Sequence, residues 1–381
     1  MIGLAVGGLD AQVMRGFNLY RHSVGPWTIA DAGHQRAYID RVLNRAGSIH
    51  GVLANVTDRG LADRLRATGL PIVDVSGISA EAGFVRVTAD NVAVGRVAAG
   101  HFLERGFRRF IFASPQQRSF ERERWQGFHE GLAQRFDRPR VGWFLLEGGS
   151  WIDEVGQRPL SHAAFYQMLV DADEPVAILA GYDRPGMEIC DHCRTLGIAV
   201  PEQVAVLGVD DNEYLCESCE PPLSSVMLPG QKIGHEAARL LHAMMDGQPP
   251  PDQTILLPPV GVHTRHSTDI AAIDDRGIAQ ALSIMRQRAA EPINVTDLAD
   301  AVHMDRRTFY RHFRKAIGRT PLQELDRLRI ELARERLVGT HTSIYEIALA
   351  VGFADVDRFG RKFKQETGLT PSQFRHRFSV R

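Results

Sequence analysis

The stretch LGIAVPEQVAVLGVDDNEYL (196–215) contains the pattern that decides the fold of most of this chain. Its centre, VAVLGV (204–209), is apolar throughout. Such a run is typical of a strand in a parallel sheet that helices cover on both faces. Two carboxylates, Asp210 and Asp211, follow the run directly. In open α/β sheets a ligand binds beyond the carboxyl ends of the strands, so the pattern predicts both a fold and the location of a site.

Further apolar runs precede this one, and helical patterns separate them. The runs are IGLAVGG (2–8), GVLANV (51–56), PIVDVSG (71–77), RFIFAS (109–114) and PVAILAGYD (175–183). This alternation of strands and helices predicts a doubly wound α/β architecture. The strands are too many for one such sheet, so we expect two lobes, and we assign them to residues 1–265.

Candidate ligand contacts lie at the ends of the predicted strands. The carboxylates there are Asp10, Asp90, Asp183 and Asp210. Each carboxylate can accept from two hydroxyls, so their convergence suits a polyhydroxyl ligand, although an aspartate in such a loop also caps helices. Other candidates are the possible donors Arg122 and Arg124 and the tryptophans Trp27, Trp125 and Trp151, which could stack on a sugar.

The same region contains none of the common cofactor or nucleophile motifs. The patterns GxGxxG after the first strand, GxxxxGK[ST] and GxSxG do not occur in it. HTRH (263–266) offers two histidines without an evident third metal ligand. We therefore predict no enzymatic activity, no cofactor and no metal site; an α/β enzyme tethered to DNA is the alternative.

Four stretches of this region are distinctive as a set. They are VRVTADNVAVGRVAAGHFLERGFRRFIFAS (85–114), RERWQGF (122–128), LGIAVPEQVAVLGVDDNEYL (196–215) and PPLSSV (221–226). Together they resemble the LacI-type sugar sensors, which share the periplasmic-binding-protein fold. The resemblance implies a two-lobed sensor that closes on a sugar. It also implies that Arg124 and Asp210 bind ligand hydroxyls and that Asp90 and Asp183 line the cleft.

The remainder of the chain differs from this region in charge. Residues 277–381 carry 19 basic and 12 acidic side chains, net +7, whereas residues 1–276 carry 26 and 34, net −8. A basic segment on an acidic body is the electrostatic pattern of a protein that contacts a polyanion.

An internal repeat marks the basic segment. LADAVHMDRRTFYRHFRKAIGRTP (298–321) recurs as IALAVGFADVDRFGRKFKQETGLTP (347–371). In each copy two phenylalanines stand four residues apart, so they anchor one helix face to a core. These residues are Phe309 and Phe313 in the first copy and Phe359 and Phe363 in the second. Each copy predicts a helix-turn-helix, with caps at Thr296, Asp305, Ser343 and Asp355.

The opposite face of the second helix in each copy is mostly basic. Its candidate DNA contacts are Arg306, Arg307, Tyr310, Arg311 and Arg314 in the first copy and Asp357, Arg358, Arg361 and Lys362 in the second. A helix over 324–338 would bridge the copies. Two such helices held by one linker are suited to successive major grooves of double-stranded DNA.

Residues 277–379 resemble the AraC-type DNA-binding domain, and they predict an all-α domain over 277–381 after a linker at 266–276. A LacI-type sensor followed by an AraC-type domain, joined at PPVGVHTRHSTD (258–269), is similar to the bacterial regulators of xylose operons. That resemblance implies a pentose effector such as xylose, transcription activation, a homodimer, an operator and contact with RNA polymerase. A hexose, a sugar acid or a nucleobase is the alternative ligand.

Two further expectations concern location and cysteines. No apolar run reaches the roughly 20 residues that span a bilayer, and MIGLAVGGLD (1–10) has no signal-peptide pattern, so we predict a cytoplasmic protein. The four cysteines form CDHC (190–193) and CESC (216–219), a spacing that fits a tetrathiolate zinc site. We interpret them as packing residues, because structural zinc usually holds small units that lack a core.

Overall fold

The computed structural model describes residues 2–6, 9–25, 27–31, 49–56, 58–76, 83–153, 155–251, 253–269, 275–340 and 342–379. Two α/β lobes are followed by a helical domain. This confirms the predicted fold class. The described chain contains no helix that is long and apolar enough to cross a bilayer.

The first lobe is built on a six-stranded sheet in the order β13-β5-β4-β3-β1-β2, and every pairing in it is parallel. Its strands are β1 (Ile2–Val6), β2 (Thr28–Asp31), β3 (Gly51–Ala54), β4 (Ile72–Asp74), β5 (Val85–Ala89) and β13 (Ile255–Leu257). Its helices, among the residues that the structure describes, are α1 (Ala11–Val24), α2 (Arg59–Ala67) and α8 (Gly230–Met245). All four residues of β3 are buried, as a run covered on both faces requires.

The second lobe contains an eight-stranded sheet in the order β14-β12-β11-β10-β6-β7-β8-β9. Its strands are β6 (Arg109–Ser114), β7 (Arg140–Leu145), β8 (Ser150–Asp153), β9 (Gly156–Pro159), β10 (Val176–Ala180), β11 (Val204–Val209), β12 (Ser224–Met227) and β14 (Gly261–His263). Its helices are α3 (Asn91–Leu103), α4 (Ser119–Ala133), α5 (His162–Val170), α6 (Asp183–Thr195) and α7 (Glu213–Ser218). The strands from β12 to β7 are parallel, and β14, β8 and β9 extend the sheet antiparallel.

The described chain passes between the lobes three times: from β5 through α3 to β6, from β12 to α8, and from β13 to β14. The carboxyl ends of the central strands of both sheets therefore face the space between the lobes. In doubly wound sheets this edge is where ligands bind, so the topology places a site there.

The helical domain contains α9 (Arg276–Gln287), α10 (Val295–Ala301), α11 (Arg306–Ile317), α12 (Pro321–Gly339), α13 (Ile344–Ala350), α14 (Val356–Thr367) and α15 (Pro371–Phe378). The pairs α10–α11 and α13–α14 are the two predicted helix-turn-helix units. The turn residues His303 and Gly352 occupy equivalent places and both have positive φ, 54° and 91°. Helix α12 includes the predicted bridge and contributes to the hydrophobic cores of both units.

Three of the predicted helix caps are confirmed, and one is wrong. Asp305, Ser343 and Asp355 accept backbone N–H bonds at the starts of α11, α13 and α14. Helix α10 is capped by Asn294 rather than Thr296: the Asn294 carboxamide oxygen accepts from the Thr296 N–H at 2.8 Å. Asn294 and Asp297 bond each other's backbone reciprocally, so the helix begins two residues earlier than the threonine suggested.

The segment after β14 differs from a simple linker. Residues 266–268 form a 3₁₀ turn in which Ser267 and Thr268 are fully buried. The Ser267 hydroxyl donates to the Val206 carbonyl at 2.6 Å, and the Thr268 carbonyl accepts from the Arg105 guanidinium at 3.0 Å. The predicted linker, 266–276, therefore starts within the packed sensor; residues 270–274 lie outside the described residues.

Helices α3 and α4 cross in close contact at Gly127. A Cβ at Gly127 would lie 1.9 Å from the Val92 carbonyl oxygen. Because this oxygen belongs to the backbone, it cannot move away as the end of a flexible side chain could. Gly127→Ala should therefore lower the free energy of unfolding by about 2–3 kcal/mol or more, measured by urea denaturation. Gly100→Ala is the matched control on α3, because nothing lies within 4 Å of its added Cβ. Equal stabilities for the two variants would contradict the close crossing.

Candidate functional site

A cavity of about 380 Å³ lies between the lobes, at the carboxyl ends of the strands. Its lining residues are Leu9, Asp10, Gln12, Val13, Asn55, Val75, Ser76, Thr88, Ala89, Asn91, Arg118, Phe120, Arg124, Tyr182, Asp210, Leu228, Gly230 and Ile233. Both lobes contribute to it, so a ligand held there contacts the two halves of the sensor at once.

The structure brings three of the six predicted ligand contacts to this cavity: Asp10, Arg124 and Asp210. Asp183 lies directly behind Asp210 and is buried. Asp90 caps α3, where its carboxylate accepts from the Ala93 N–H at 2.9 Å.

Arg122 is the predicted contact that the structure places elsewhere. Its side chain is exposed and donates to the Gln117 carbonyl. Arg122 and Arg124 are two residues apart on α4 and so point in nearly opposite directions. Only Arg124 can face the cavity.

Arg124 connects three elements around the cavity. Its Nε donates to the Asn91 side-chain oxygen at the start of α3 (2.9 Å), and its Nη1 donates to the Gly181 carbonyl after β10. Its Nη2 lies 3.5 Å from Asp210 Oδ1, and the guanidinium stands 4.8 Å from the centre of the Phe120 ring. Burial lowers the pKa of Arg124, and Asp210, Glu121 and Asp183 oppose that shift, so the cation is held by surrounding acceptors.

Asp183 and Asp210 form a carboxylate pair at the second lobe's edge. The Ser225 hydroxyl donates to Asp183 at 2.6 Å, and the Asn212 N–H donates to it at 2.7 Å. Burial, followed by the charge of Asp210, raises the pKa of Asp183 to about 7. Burial also raises the pKa of Asp210, although Arg124 opposes this. The Asp210 side chain lines the cavity and is 43% exposed, so it remains free to accept from a ligand.

Several lining residues were missed by the sequence analysis. The polar ones are Gln12, Asn55, Ser76, Thr88, Asn91 and Arg118, and the aromatic ones are Phe120 and Tyr182. Asn91 follows Asp90 directly and could have been found by extending that motif by one residue. The others carry no local signal, because their positions depend on loop paths and on how the lobes meet.

The tryptophans proposed to stack on a ligand do not line this cavity. Trp27 is buried in the first lobe's core, and Trp125 packs against Trp143 with ring centres 5.7 Å apart. Trp151 lies near Ile152 on the hairpin edge of the second sheet. The rings available to a ligand are those of Phe120 and Tyr182, whose centres are 6.3 Å apart.

The predicted DNA-reading face is well defined on α11. Phe309 and Phe313 are fully buried, as predicted. The basic residues on the other side of the helix are exposed: Arg306, Arg307, Arg311 and Arg314. Tyr310 is half-buried, and the Arg306 guanidinium lies 5.8 Å from its ring centre. This face is available to phosphates and base edges.

The corresponding face on α14 is divided between two roles. Asp357 and Arg361 are exposed. Arg358 instead bonds both carboxylate oxygens of buried Asp326 on α12, at 2.6 and 2.8 Å, and Lys362 lies 3.8 Å from the same carboxylate. The structure thus gives the Arg358 guanidinium a contact that the sequence did not predict: it holds α14 on α12, because a buried carboxylate requires a charged partner.

The four cysteines are buried and free. They pack with Ile178, Val206 and their neighbours in one hydrophobic cluster. A hydrogen bond to Cys219, together with burial, raises the pKa of the Cys190 thiol well above its ordinary value. Among the residues that the structure describes, no three His, Cys, Asp or Glu side chains converge as metal ligands.

Comparisons with known proteins cover both parts of the chain. A periplasmic binding protein-like domain model matches residues 99–268, and a helix-turn-helix domain model matches residues 298–377. Among solved structures, that of a xylose-binding transcription activator, XylR, is 27% identical and covers 100% of this chain and 99% of its own, with a TM-score of 0.58. A complex of the transcriptional regulator CelR with cellobiose is 27% identical and covers 70% of this chain and 84% of its own, with a TM-score of 0.54.

Two relatives match over nearly their whole length. The xylose operon regulatory proteins of Escherichia coli (strain K12) and Haemophilus influenzae are each 30% identical to this chain, over 96% of it and over 93% and 95% of their own lengths. The likeness spans the sensor, the junction and the helix-turn-helix domain together. The chain therefore belongs to the family of xylose operon regulatory proteins, transcription regulators in which a small-molecule sensor precedes a DNA-binding domain.

Proposed function

We propose that this protein binds xylose, or a closely related pentose, between its lobes and activates transcription in response. The observation that carries the proposal is the presence, on one chain, of a cavity lined by Asp10, Arg124 and Asp210 and of two helix-turn-helix units. Further support comes from the relatives that regulate a xylose operon and from the xylose-binding activator of known structure.

The chemistry of the cavity suits a small sugar. Its carboxylates accept from hydroxyls, its guanidiniums donate to hydroxyl and ring oxygens, and its amides do both. The rings of Phe120 and Tyr182 offer apolar surface for the C–H face of a sugar. A volume of about 380 Å³ lies at the small end of the range for ligand pockets, which favours a monosaccharide over a larger ligand.

We also propose that the protein acts in the cytoplasm as a homodimer on paired operator half-sites and that it contacts RNA polymerase. Two helix-turn-helix units on one chain suit two successive major grooves of the DNA. A symmetric pair of chains would double the number of grooves contacted. Support for polymerase contact is the activator role of the XylR relative.

Arg124→Gln should weaken xylose binding by the full-length protein at least tenfold. The guanidinium is the buried donor beside Asp210, and a charge-assisted hydrogen bond contributes about 1.5–3 kcal/mol, where 1.4 kcal/mol is a factor of ten. Isothermal titration calorimetry with pentoses, hexoses, sugar acids and nucleobases measures the effect and the preference.

Arg122→Gln is the matched control for this prediction. It removes the same charge from the same helix at an exposed position, so xylose affinity should stay within twofold of the wild type. Undiminished binding by Arg124→Gln would show that the sugar binds elsewhere. Wild-type protein that binds a nucleobase but no pentose would refute the proposed ligand.

On DNA, Arg311→Ala and Arg361→Ala should each cost about 1–3 kcal/mol and relax base preference at one position, if the side chain reads a guanine. Arg358→Ala is the contrasting variant one turn from Arg361. Its partner is Asp326, so it should destabilise the helical domain in thermal unfolding and keep the base preference of the wild type. Selection from random oligonucleotides reports the preference; an unchanged preference in both Arg311→Ala and Arg361→Ala would contradict the assignment.

A further inference from the structure

A second cavity, of about 600 Å³, lies between the sensor and the helical domain. It shares lining residues with the proposed sugar cavity, namely Asp10, Gln12, Asp210, Leu228 and Gly230. On its far side it is lined by Glu335 and Val338 of α12 and by Phe378 of α15. The proposed sugar site and the DNA-binding domain are therefore separated by one layer of side chains.

Asp210 belongs to that layer, and Asp211, the next residue, lines only the second cavity. Asp210 faces the sugar cavity and pairs with Arg124 at 3.5 Å. Asp211 faces the other way: its carboxylate accepts from Arg265 Nη1 at 2.8 Å and lies 3.3 Å from His263 Nδ1. Because the two residues share a peptide bond, a displacement of Asp210 moves the Asp211 carboxylate.

The backbone at this dipeptide is held in an unfavourable conformation. Asp210 has φ 109° and Asp211 has φ 54°, both in the region that favours glycine. Strained non-glycine residues persist only where their surroundings hold them, and they often belong to elements that move with function. Here Asp211 is held by its N–H, which donates to the Ser225 hydroxyl at 2.9 Å.

His263 carries the contact onward to the DNA-binding domain. It lies on β14 with Asp211 on one side and Glu335 of α12 on the other, 3.9 Å from His263 Nε2 to Glu335 Oε2. Burial lowers the pKa of His263, but the two carboxylates outweigh this and raise it overall. Burial raises the pKa of Glu335 to about 7, and His263 opposes the shift. The imidazole is thus an electrostatic bridge between two carboxylates on different domains.

Helix α12 carries Glu335, so a change in the His263 bridge can displace this helix. A second contact ties it to the sensor, because Glu104 after α3 pairs with Arg327 at 2.9 Å and lies 3.7 Å from Arg319. Helix α3 begins at Asn91 on the sugar cavity. A change of lobe angle can therefore act on α12 at two separated points, and α12 packs against both helix-turn-helix units.

We propose that Asp211, His263 and Glu335 form a coupling triad that transmits sugar occupancy to the position of α12 and so to DNA affinity. The inference rests on the proposed function, since the sugar supplies the signal. A sugar bound to Asp210 shifts the Asp210–Asp211 peptide and changes the hold of Asp211 on His263. That in turn alters the pairing of His263 with Glu335, and the two DNA-reading units move with α12.

The test measures DNA affinity with and without sugar in the full-length protein. An operator fragment is first selected by the wild type from random DNA in the presence of xylose. Fluorescence anisotropy then gives the ratio of DNA Kd without xylose to that with saturating xylose. Coupling between sites is typically 5–150-fold. Glu335→Gln and His263→Gln should each bring this ratio at least threefold closer to one.

Glu236→Gln on α8 is the matched control. Its carboxylate is similarly exposed, 20% against 26% for Glu335, and its ion pairs are with Arg239 at 2.9 Å and Lys232 at 3.7 Å on its own helix, so its ratio should equal that of the wild type. The double variant His263→Gln/Glu335→Gln should lose no more coupling than either single variant, because the residues act as one unit. Stoichiometric xylose binding by each variant shows that the sensor remains folded.

The outcomes separate the two proposals. If the DNA affinity of the wild type does not change with any sugar, both the proposed function and the coupling triad are overturned. A responsive wild type with equally responsive His263→Gln and Glu335→Gln variants would overturn the triad alone. Loss of coupling in the triad variants with retained sugar binding, and not in Glu236→Gln, is the expected result.

Discussion

The buried charge of Arg124 is the constraint around which the sensor is arranged. A guanidinium removed from water requires acceptors on all sides, and here they come from Asn91 at the start of α3, Gly181 after β10 and Asp210 after β11. These groups belong to different strand–helix units. One cation therefore fixes the relative positions of the elements that form the cavity wall and holds the Asp210 carboxylate towards the ligand space.

Helix α12 has a comparable position in the helical domain. Its buried charges are paired in three directions: Arg327 with Glu324 within the helix, Arg327 with Glu104 of the sensor, and Asp326 with Arg358 of α14. Such pairs fix the relative positions of the elements more than they stabilise the fold, since the cost of desolvation offsets much of the attraction between the charges. The helix is thereby fixed against both the sensor and α14, which suits an element that must convert a change in the sensor into a change in DNA contacts.

The sequence predicted the elements better than their contacts. The apolar runs, the repeated phenylalanines and the caps at Asp305, Ser343 and Asp355 all depend on local periodicity or on hydrogen bonds within four residues. Arg122 and Arg358 show where that reasoning fails. The motif containing Arg122 could not tell which side of α4 faces the cavity, and the partner of Arg358 is 32 residues away on another helix.

By itself the sequence determined that this chain has an α/β sensor and a paired helix-turn-helix domain, because strand burial and helix amphipathicity follow from the order of apolar and polar residues along the chain. Only the tertiary structure decided which aspartates reach the cavity, that the cysteines belong to a core, and that Asp211, His263 and Glu335 meet between domains. Those outcomes depend on how separately formed surfaces pack together, and packing brings residues together without regard to their distance along the chain.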